Sequence, residues 1–183
     1  MSEKRMLSDL PFFETIQEIL SHYSYPPTCP ALCCKIADIN LDENDLDLLM
    51  QAPNYKADVI EACSEEGEYP YKIQPPCPFL DSNMCSVYEW RPTICRMFPF
   101  NICNVPDVLL LFPGDMGANI FKDYVEYSEN ILKQPIPAKT IDEFEQSHRS
   151  FESKLEQGLP IPMLTIKIKT LAPFKEYLRS KYA

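Results

Sequence analysis

The stretch Cys77-Pro-Phe-Leu-Asp-Ser-Asn-Met-Cys85-Ser-Val-Tyr-Glu-Trp-Arg91-Pro-Thr-Ile-Cys95-Arg96-Met-Phe-Pro99 decides what kind of fold this chain adopts. A second group of thiols lies upstream in Cys29-Pro-Ala-Leu-Cys33-Cys34. Clustered cysteines in a chain without an export signal favour a metal site over disulfides, because the cytosol keeps thiols reduced. Buried structural thiols are the remaining alternative. We therefore expect an irregular, cysteine-rich, metal-binding region.

The composition sets limits on the class of protein. The chain has 183 residues, of which 45% are hydrophobic and 24% charged, a balance typical of a globular domain. No apolar run approaches the roughly 20 residues that span a bilayer, and the N-terminus lacks the apolar segment of a signal peptide. These features predict a cytoplasmic protein without a membrane partner. The net charge of −10 argues against nucleic-acid binding.

Six cysteines are the candidate metal ligands. Zinc and iron–sulfur sites each use four protein ligands as a rule, so eight cysteines exceed one site. Two sites, one multinuclear site, and spectator thiols all stay open. Cys63 is expected in the core, Cys103 is undecided, and a satisfied imidazole is favoured over a ligand for both histidines. The candidate ligands are Cys29, Cys33, Cys34, Cys77, Cys85 and Cys95.

Two arginines flank one of these cysteines. Arg91 and Arg96 lie on either side of Cys95. Four thiolates around a divalent metal carry a net negative charge, which guanidinium groups neutralise while donating hydrogen bonds to sulfur. The alternative is an ordinary surface ion pair. We expect both arginines to support the metal centre from outside the ligand set.

The pattern of apolar residues predicts a helix-rich α+β fold with a small sheet. We expect one domain, 1–183, made of a cysteine-cluster core at 25–103 and a C-terminal extension of helices and strand at 104–183. The predicted helices lie near 9–23, 42–51, 55–64, 87–97, 116–133, 140–157 and from 173 onward, and the predicted strands near 36–39, 69–73, 108–112 and 164–168.

The downstream motif resembles a known family. The YkgJ-type cysteine-cluster proteins, a CxxCxxCC family described as zinc- or iron-chelating, carry C-x2-L followed by C-x-[IV]-Y-x2-R-P-x2-C-R-x2-P. The upstream run departs from the family pattern, since its two earlier cysteine positions fall on Pro27 and Pro30, with Cys29 one residue away. The resemblance covers about residues 25–103. The matching positions here are Cys77, Leu80, Cys85, Val87, Tyr88, Arg91, Pro92, Cys95, Arg96 and Pro99.

The resemblance implies a metal-binding protein that chelates zinc or iron. The surplus of thiols favours iron, with an iron–sulfur cluster as one form of the site. The family is related to the cysteine domain of flagellin lysine N-methylases, but this chain has only four glycines and no glycine-rich nucleotide loop. A metal-dependent enzyme, acting in redox or S-adenosylmethionine-dependent methyl transfer, is one alternative. A zinc-stapled scaffold that binds a protein partner is another. The metal ion is the one partner that the resemblance implies.

Overall fold

The computed structural model describes residues 10–25, 29–63, 69–103 and 105–183. It is a helix-rich α+β structure with small antiparallel sheets, which confirms the predicted fold class. The helices of this part of the chain are α1 Phe13–Leu20, α2 Leu32–Ile36, α3 Glu43–Met50, α4 Thr93–Met97, α5 Asp115–Asn130, α6 Ala138–Arg149, α7 Phe151–Glu156 and α8 Leu171–Lys181. The strands are β1 Ile39–Leu41, β2 Ile60–Ala62, β3 Tyr71–Ile73, β4 Leu80–Asp81, β5 Met84–Cys85, β6 Phe100–Ile102, β7 Val108–Leu111 and β8 Leu164–Lys167.

The described residues divide into two compact units. One unit, called here the thiol unit, has residue 10 and residues 29–63 and 69–96, and the other, called the helical unit, has residues 11–25, 97–103 and 105–183. The prediction of one domain over 1–183 stays a prediction. Each unit has its own cluster of buried apolar side chains, so each is described by itself.

The thiol unit is built from very short strands. Its three-stranded antiparallel sheet has the order β1-β3-β2, with Ile73 opposite both Ile39 and Ile60. β4 and β5 form a separate two-stranded hairpin. The buried core is small and comprises Ile39, Leu41, Leu49, Ala52, Ile73, Phe79 and Val87. Strands of two or three residues leave much of this unit to turns and side-chain contacts.

The helical unit carries the larger core. Its sheet has the antiparallel order β6-β7-β8, and α1 and α5 both pack on α8. β8 alternates buried and exposed residues, as the sequence pattern predicts. Gly117 of α5 lies so close to the residue that follows β7 that a Cβ there would stand 1.8 Å from the Phe112 carbonyl oxygen. No helix in the described ranges combines the length and the hydropathy needed to cross a membrane.

Most of the predicted elements are confirmed. α5, α8, β3, β7 and β8 match the segments near 116–133, 173 onward, 69–73, 108–112 and 164–168. The helix predicted at 9–23 is present as α1, and its residue 9 lies outside the described residues. α3 begins where Asp42 predicts, with Asp42 and Asp45 forming a capping box.

Four predicted elements are wrong in type or extent. The segment 36–39 ends α2 and begins β1 instead of forming one strand. The helix expected at 55–64, whose last residue is not described, is a 3-10 turn at Ala57–Val59 followed by β2, because pairing with β3 overrides local propensity. The helix near 87–97 is interrupted at Pro92, which forces Arg91 into an extended conformation. The helix near 140–157 breaks at Ser150, whose hydroxyl donates to the Gln146 carbonyl.

Candidate metal centre

The six candidate ligands all lie in the thiol unit, on four separate pieces of chain. Cys29 precedes α2, and Cys33 and Cys34 lie on α2. The other three occupy the arm before β4, strand β5 and helix α4, and they pack against the thiol-unit core. These three are Cys77, Cys85 and Cys95. All eight cysteines of the chain are free thiols of intermediate exposure.

Helix α2 positions the thiols of the adjacent residues Cys33 and Cys34. Ala31 adopts a left-handed conformation, φ 53°, immediately before this helix, and the Cys34 amide donates to its carbonyl. The Cys33 and Cys34 sulfur atoms lie 3.9 Å apart. Their hydrogen bond lowers the pKa of Cys33 and raises that of Cys34 well above its ordinary range. Two adjacent cysteines on a regular helix therefore have their thiols in contact, and the pair loses its second proton with difficulty.

The β4–β5 hairpin places Cys85. Its two-residue loop, Ser82 and Asn83, has positive φ at both positions, the backbone that matches the twist of paired strands. β5 then runs back along β4, with Cys85 opposite Leu80. The Ser86 amide and hydroxyl both donate to the Phe79 carbonyl, at 2.8 and 2.9 Å, and fix the exit from the hairpin. The turn thus returns the chain toward the arm that begins at Cys77.

Backbone contacts join the two cysteine groups. The Cys77 amide donates to the Cys34 carbonyl at 2.7 Å, which ties the arm before β4 to helix α2. The Leu80 amide donates to the Cys77 carbonyl at 3.0 Å and closes a tight turn. Residues separated by more than forty positions in the sequence are therefore neighbours at this bond.

Four thiols influence one another's ionisation in every pairwise combination. Burial raises the pKa of Cys95, and Cys34, Cys77 and Cys85 raise it further. Burial also raises the pKa of Cys77, as do Cys34 and Cys85. Burial raises the pKa of Cys85 as well, and Cys34 raises it further. Cys33 interacts in this way with Cys29 and Cys95.

Backbone amides favour the ionised form of two of these thiols. The Phe79 N–H lowers the pKa of Cys77, and the Val87 N–H lowers that of Cys85, each partly offsetting the larger effect of burial. Amide donors two residues after a cysteine stabilise a thiolate and tune a metal bound to it. These amides were not predicted, because a backbone donor has no sequence signal apart from the turn that presents it.

Arg91 and Arg96 have different surroundings. The Arg91 guanidinium lies 3.5 Å above the Tyr88 ring and its Nε donates to the Tyr88 carbonyl at 2.9 Å. Its charge works against the burial that raises the pKa values of Cys85 and Cys95. Arg96 donates from Nη2 to the Thr93 hydroxyl at 3.3 Å. Lys35, which sequence reasoning did not single out, also lowers the pKa of Cys34.

The remaining candidates are placed elsewhere. Cys63 follows β2, where its amide donates to the Pro70 carbonyl at 2.7 Å. Cys103 belongs to the helical unit, and its thiol lies 3.8 Å from the carbonyl oxygens of Val105 and Val108. His148 Nδ1 lies 2.8 Å from the Pro113 carbonyl oxygen, and His22 stacks on Tyr182.

The donor chemistry fits a thiophilic metal, but the side chains are not arranged around a common point. Within the described ranges, no three histidine, cysteine or acidic side chains stand in positions that could hold a metal ion together. Thiols in mutual electrostatic contact, with amide donors and arginine nearby, match the needs of zinc or iron in type. The cysteine side chains must therefore move before they share one ion.

Comparison with known proteins agrees with this donor set. The family model described as "CxxCxxCC: Putative zinc- or iron-chelating domain" matches residues 26–128, more than half of the chain. Neither a curated protein nor a solved structure matches the chain. The family description supports binding of a metal ion. On this match and on the motif from Cys77 to Pro99, the chain belongs to the CxxCxxCC family of zinc- or iron-chelating domains.

Proposed function

We propose that the thiol unit chelates one zinc or iron centre through Cys34, Cys77, Cys85 and Cys95. The observation that carries this assignment is the backbone bond from the Cys77 amide to the Cys34 carbonyl, which joins the two cysteine groups, while Cys77, Cys85 and Cys95 all pack against the thiol-unit core. The mutual effects of these four thiols on their pKa values agree with it. Four thiolates complete the ligand set of a structural zinc site and of an iron–sulfur cluster alike. Cys33 and Cys29 are then neighbours of the centre, outside its ligand set.

The proposed role of the metal is to hold this unit together. A bound divalent ion keeps its thiol ligands deprotonated, so it removes the unfavourable ionisation of buried neighbouring thiols. The unit contains strands of two or three residues and a small core, which gives a metal much to contribute to its folding. A reducing, cytoplasmic setting belongs to the same proposal, because thiols must stay reduced in order to bind a metal as thiolates.

Metal analysis of protein purified without oxygen tests the proposal. We expect one equivalent of zinc in a colourless protein, or iron with an absorbance band at about 400 nm if the centre is an iron–sulfur cluster. Wild-type protein that retains neither zinc nor iron, and does not take up either when titrated, would refute the proposed function.

Serine substitutions test the assignment of the four ligands. Cys34→Ser, Cys77→Ser, Cys85→Ser and Cys95→Ser should each reduce the bound metal, whereas Cys63→Ser and Cys103→Ser serve as matched controls and should retain it. Cys33→Ser separates the two adjacent thiols, because it should retain metal if Cys34 is the ligand. Loss of metal in Cys33→Ser with retention in Cys34→Ser would exchange their roles and contradict the assignment.

A further inference from the structure

A buried carboxylate connects helix α3 to the helix that carries Cys95. Asp45 is 1% exposed, although an ionised carboxylate is costly to bury. Its Oδ2 accepts the Asp42 amide at 3.4 Å and thereby completes the capping box of α3. Its Oδ1 has a different use, since it accepts both the amide and the hydroxyl of Thr93, each at 2.7 Å. The cap accounts for one oxygen of Asp45, and Thr93 accounts for the other.

Thr93 is the first residue of α4 and is itself 1% exposed. The amide of a first helical residue has no partner within its own helix, so Asp45 supplies that partner from a distant part of the chain. The hydroxyl that donates to Asp45 also accepts from Arg96 Nη2, which places an acidic and a basic group on the two sides of Thr93. A buried donor left without its acceptor costs about 1–3 kcal/mol, so this contact is strongly maintained.

Helix α4 needs such an anchor in order to present its cysteine. It is only five residues long, and helices shorter than roughly 12 residues are marginal without tertiary contacts. Residues two apart on a helix point about 200° from one another, given roughly 3.6 residues per turn. Fixing the Thr93 face against Asp45 therefore turns Cys95 toward the opposite side of α4, where Cys95, like Cys77 and Cys85, packs against the thiol-unit core.

We infer that Asp45 is a positioning residue of the metal centre, which holds Cys95 in the ligand set by anchoring Thr93. This inference rests on the proposed function, because it assigns a role toward the same four-thiolate site. Asp45 contributes no ligand. It acts through Thr93, and Arg96 completes the same network from the other side of the Thr93 hydroxyl.

The test compares zinc affinity and the cobalt(II) absorption spectrum across a small set of full-length variants. Asp45→Ala should weaken zinc binding about 10–100-fold, the usual effect of losing a group that orients a ligand, and should alter the thiolate-to-cobalt bands. Thr93→Val keeps the shape and the amide but removes the hydroxyl, and should act in the same direction. Asp45→Asn and Thr93→Ser retain an acceptor and a hydroxyl, and should recover most of the affinity.

Asp47→Ala is the matched control, because Asp47 is an exposed aspartate on the same helix. It should leave affinity and spectrum unchanged. Wild-type affinity and spectrum in both Asp45→Ala and Thr93→Val would overturn the inference, even if their metal-free forms melt at lower temperature. If Asp45→Ala does not fold, Thr93→Val decides alone. Wild-type protein that binds neither zinc nor cobalt would instead overturn the proposed function, and this inference with it.

Discussion

Removal of the metal should lower the thermal stability of the thiol unit, and the chain contains a natural reporter of that change. Trp90 is the one tryptophan in the sequence, where it lies between Cys85 and Cys95. Its side chain packs against the thiol-unit core. Its fluorescence therefore follows the thiol unit. Far-ultraviolet circular dichroism follows mainly the helical unit, which contains α5 with 16 residues and α6 with 12. Heating the protein with zinc and with a strong chelator compares the two signals.

The size of the zinc-dependent shift in the Trp90 transition follows from the small core of the thiol unit and from mass action. The core cluster of the thiol unit has seven buried apolar side chains, against 18 in that of the helical unit, counting described residues only. A ligand that binds only the folded state contributes about 2.7 kcal/mol when its free concentration is 100 times its dissociation constant. In a domain of 60–100 residues each kcal/mol shifts the midpoint by roughly 4–8 °C, so zinc should raise the Trp90 transition by roughly 10–20 °C.

Two controls sharpen this experiment. Cys103→Ser lies in the helical unit and should show the same zinc-dependent shift as the wild type, whereas Cys95→Ser should show little or none. The circular dichroism transition should shift less than the fluorescence transition. A Trp90 midpoint that is the same with zinc and with chelator, in protein shown to contain the metal before chelation, would refute the reasoning that the metal stabilises this unit.

Three further predictions concern charge, protons and packing. Arg91→Ala should weaken zinc binding about tenfold and Arg91→Lys should weaken it less, because lysine keeps the charge near the thiols but not the contact with Tyr88. A competition titration measures both affinities, and equal losses would assign the effect to the Tyr88 contact. Zinc affinity should rise as the pH rises, because burial raises the pKa values of Cys77, Cys85 and Cys95 and their protons must leave when zinc binds. Addition of zinc in weak buffer should therefore release acid, and no release would argue against thiolate ligation. Gly117→Ala should destabilise the helical unit by about 1–3 kcal/mol or more in thermal melts, because the new Cβ would meet the Phe112 carbonyl oxygen. Gly114→Ala should be tolerated, since its nearest neighbour is a Phe151 side-chain atom at 3.4 Å, and equal stability of the two variants would show that the backbone beside Gly117 can move.

Elements with strong periodicity were predictable from the sequence. α5 has a stripe of apolar residues long enough to identify a helix, and β8 alternates over its full length, so both were predicted near their observed bounds. The segment from 55 to 64 has no such period, and its strand exists because β3 lies beside it. Ile131 lies within the helix predicted near 116–133 but is 57% exposed, because α5 ends at Asn130. Short elements defined by a tertiary neighbour carry too little local information.

The cysteine motif predicted which residue types belong to the site but not which residues meet. The spacing of Cys77, Cys85 and Cys95 identified the family, and the match over residues 26–128 confirms it. The bond from Cys77 to the Cys34 carbonyl depends on a backbone atom, which no sequence pattern encodes. The N-terminal end of α3 at Asp42 was predictable from the sequence. The hydrogen bond from Thr93 to Asp45 was not, because it joins residues 48 positions apart. Local chemistry was therefore predictable, and contacts between distant segments were not.

Each proposed ligand depends on a different local device. The left-handed Ala31 starts the helix that carries Cys34, the positive-φ turn at Ser82 and Asn83 returns Cys85, and Asp45 holds the helix that carries Cys95. Long strands or helices would fix several ligands at once, but the thiol unit has none in its described part. Its thiols therefore depend on separate turns and buried polar contacts, and a metal bound by four of them would connect those pieces. This dependence explains why residues between the cysteines belong to the motif as firmly as the cysteines do: Arg91 and Pro92 end one turn and set the start of α4, at the residue that Asp45 anchors.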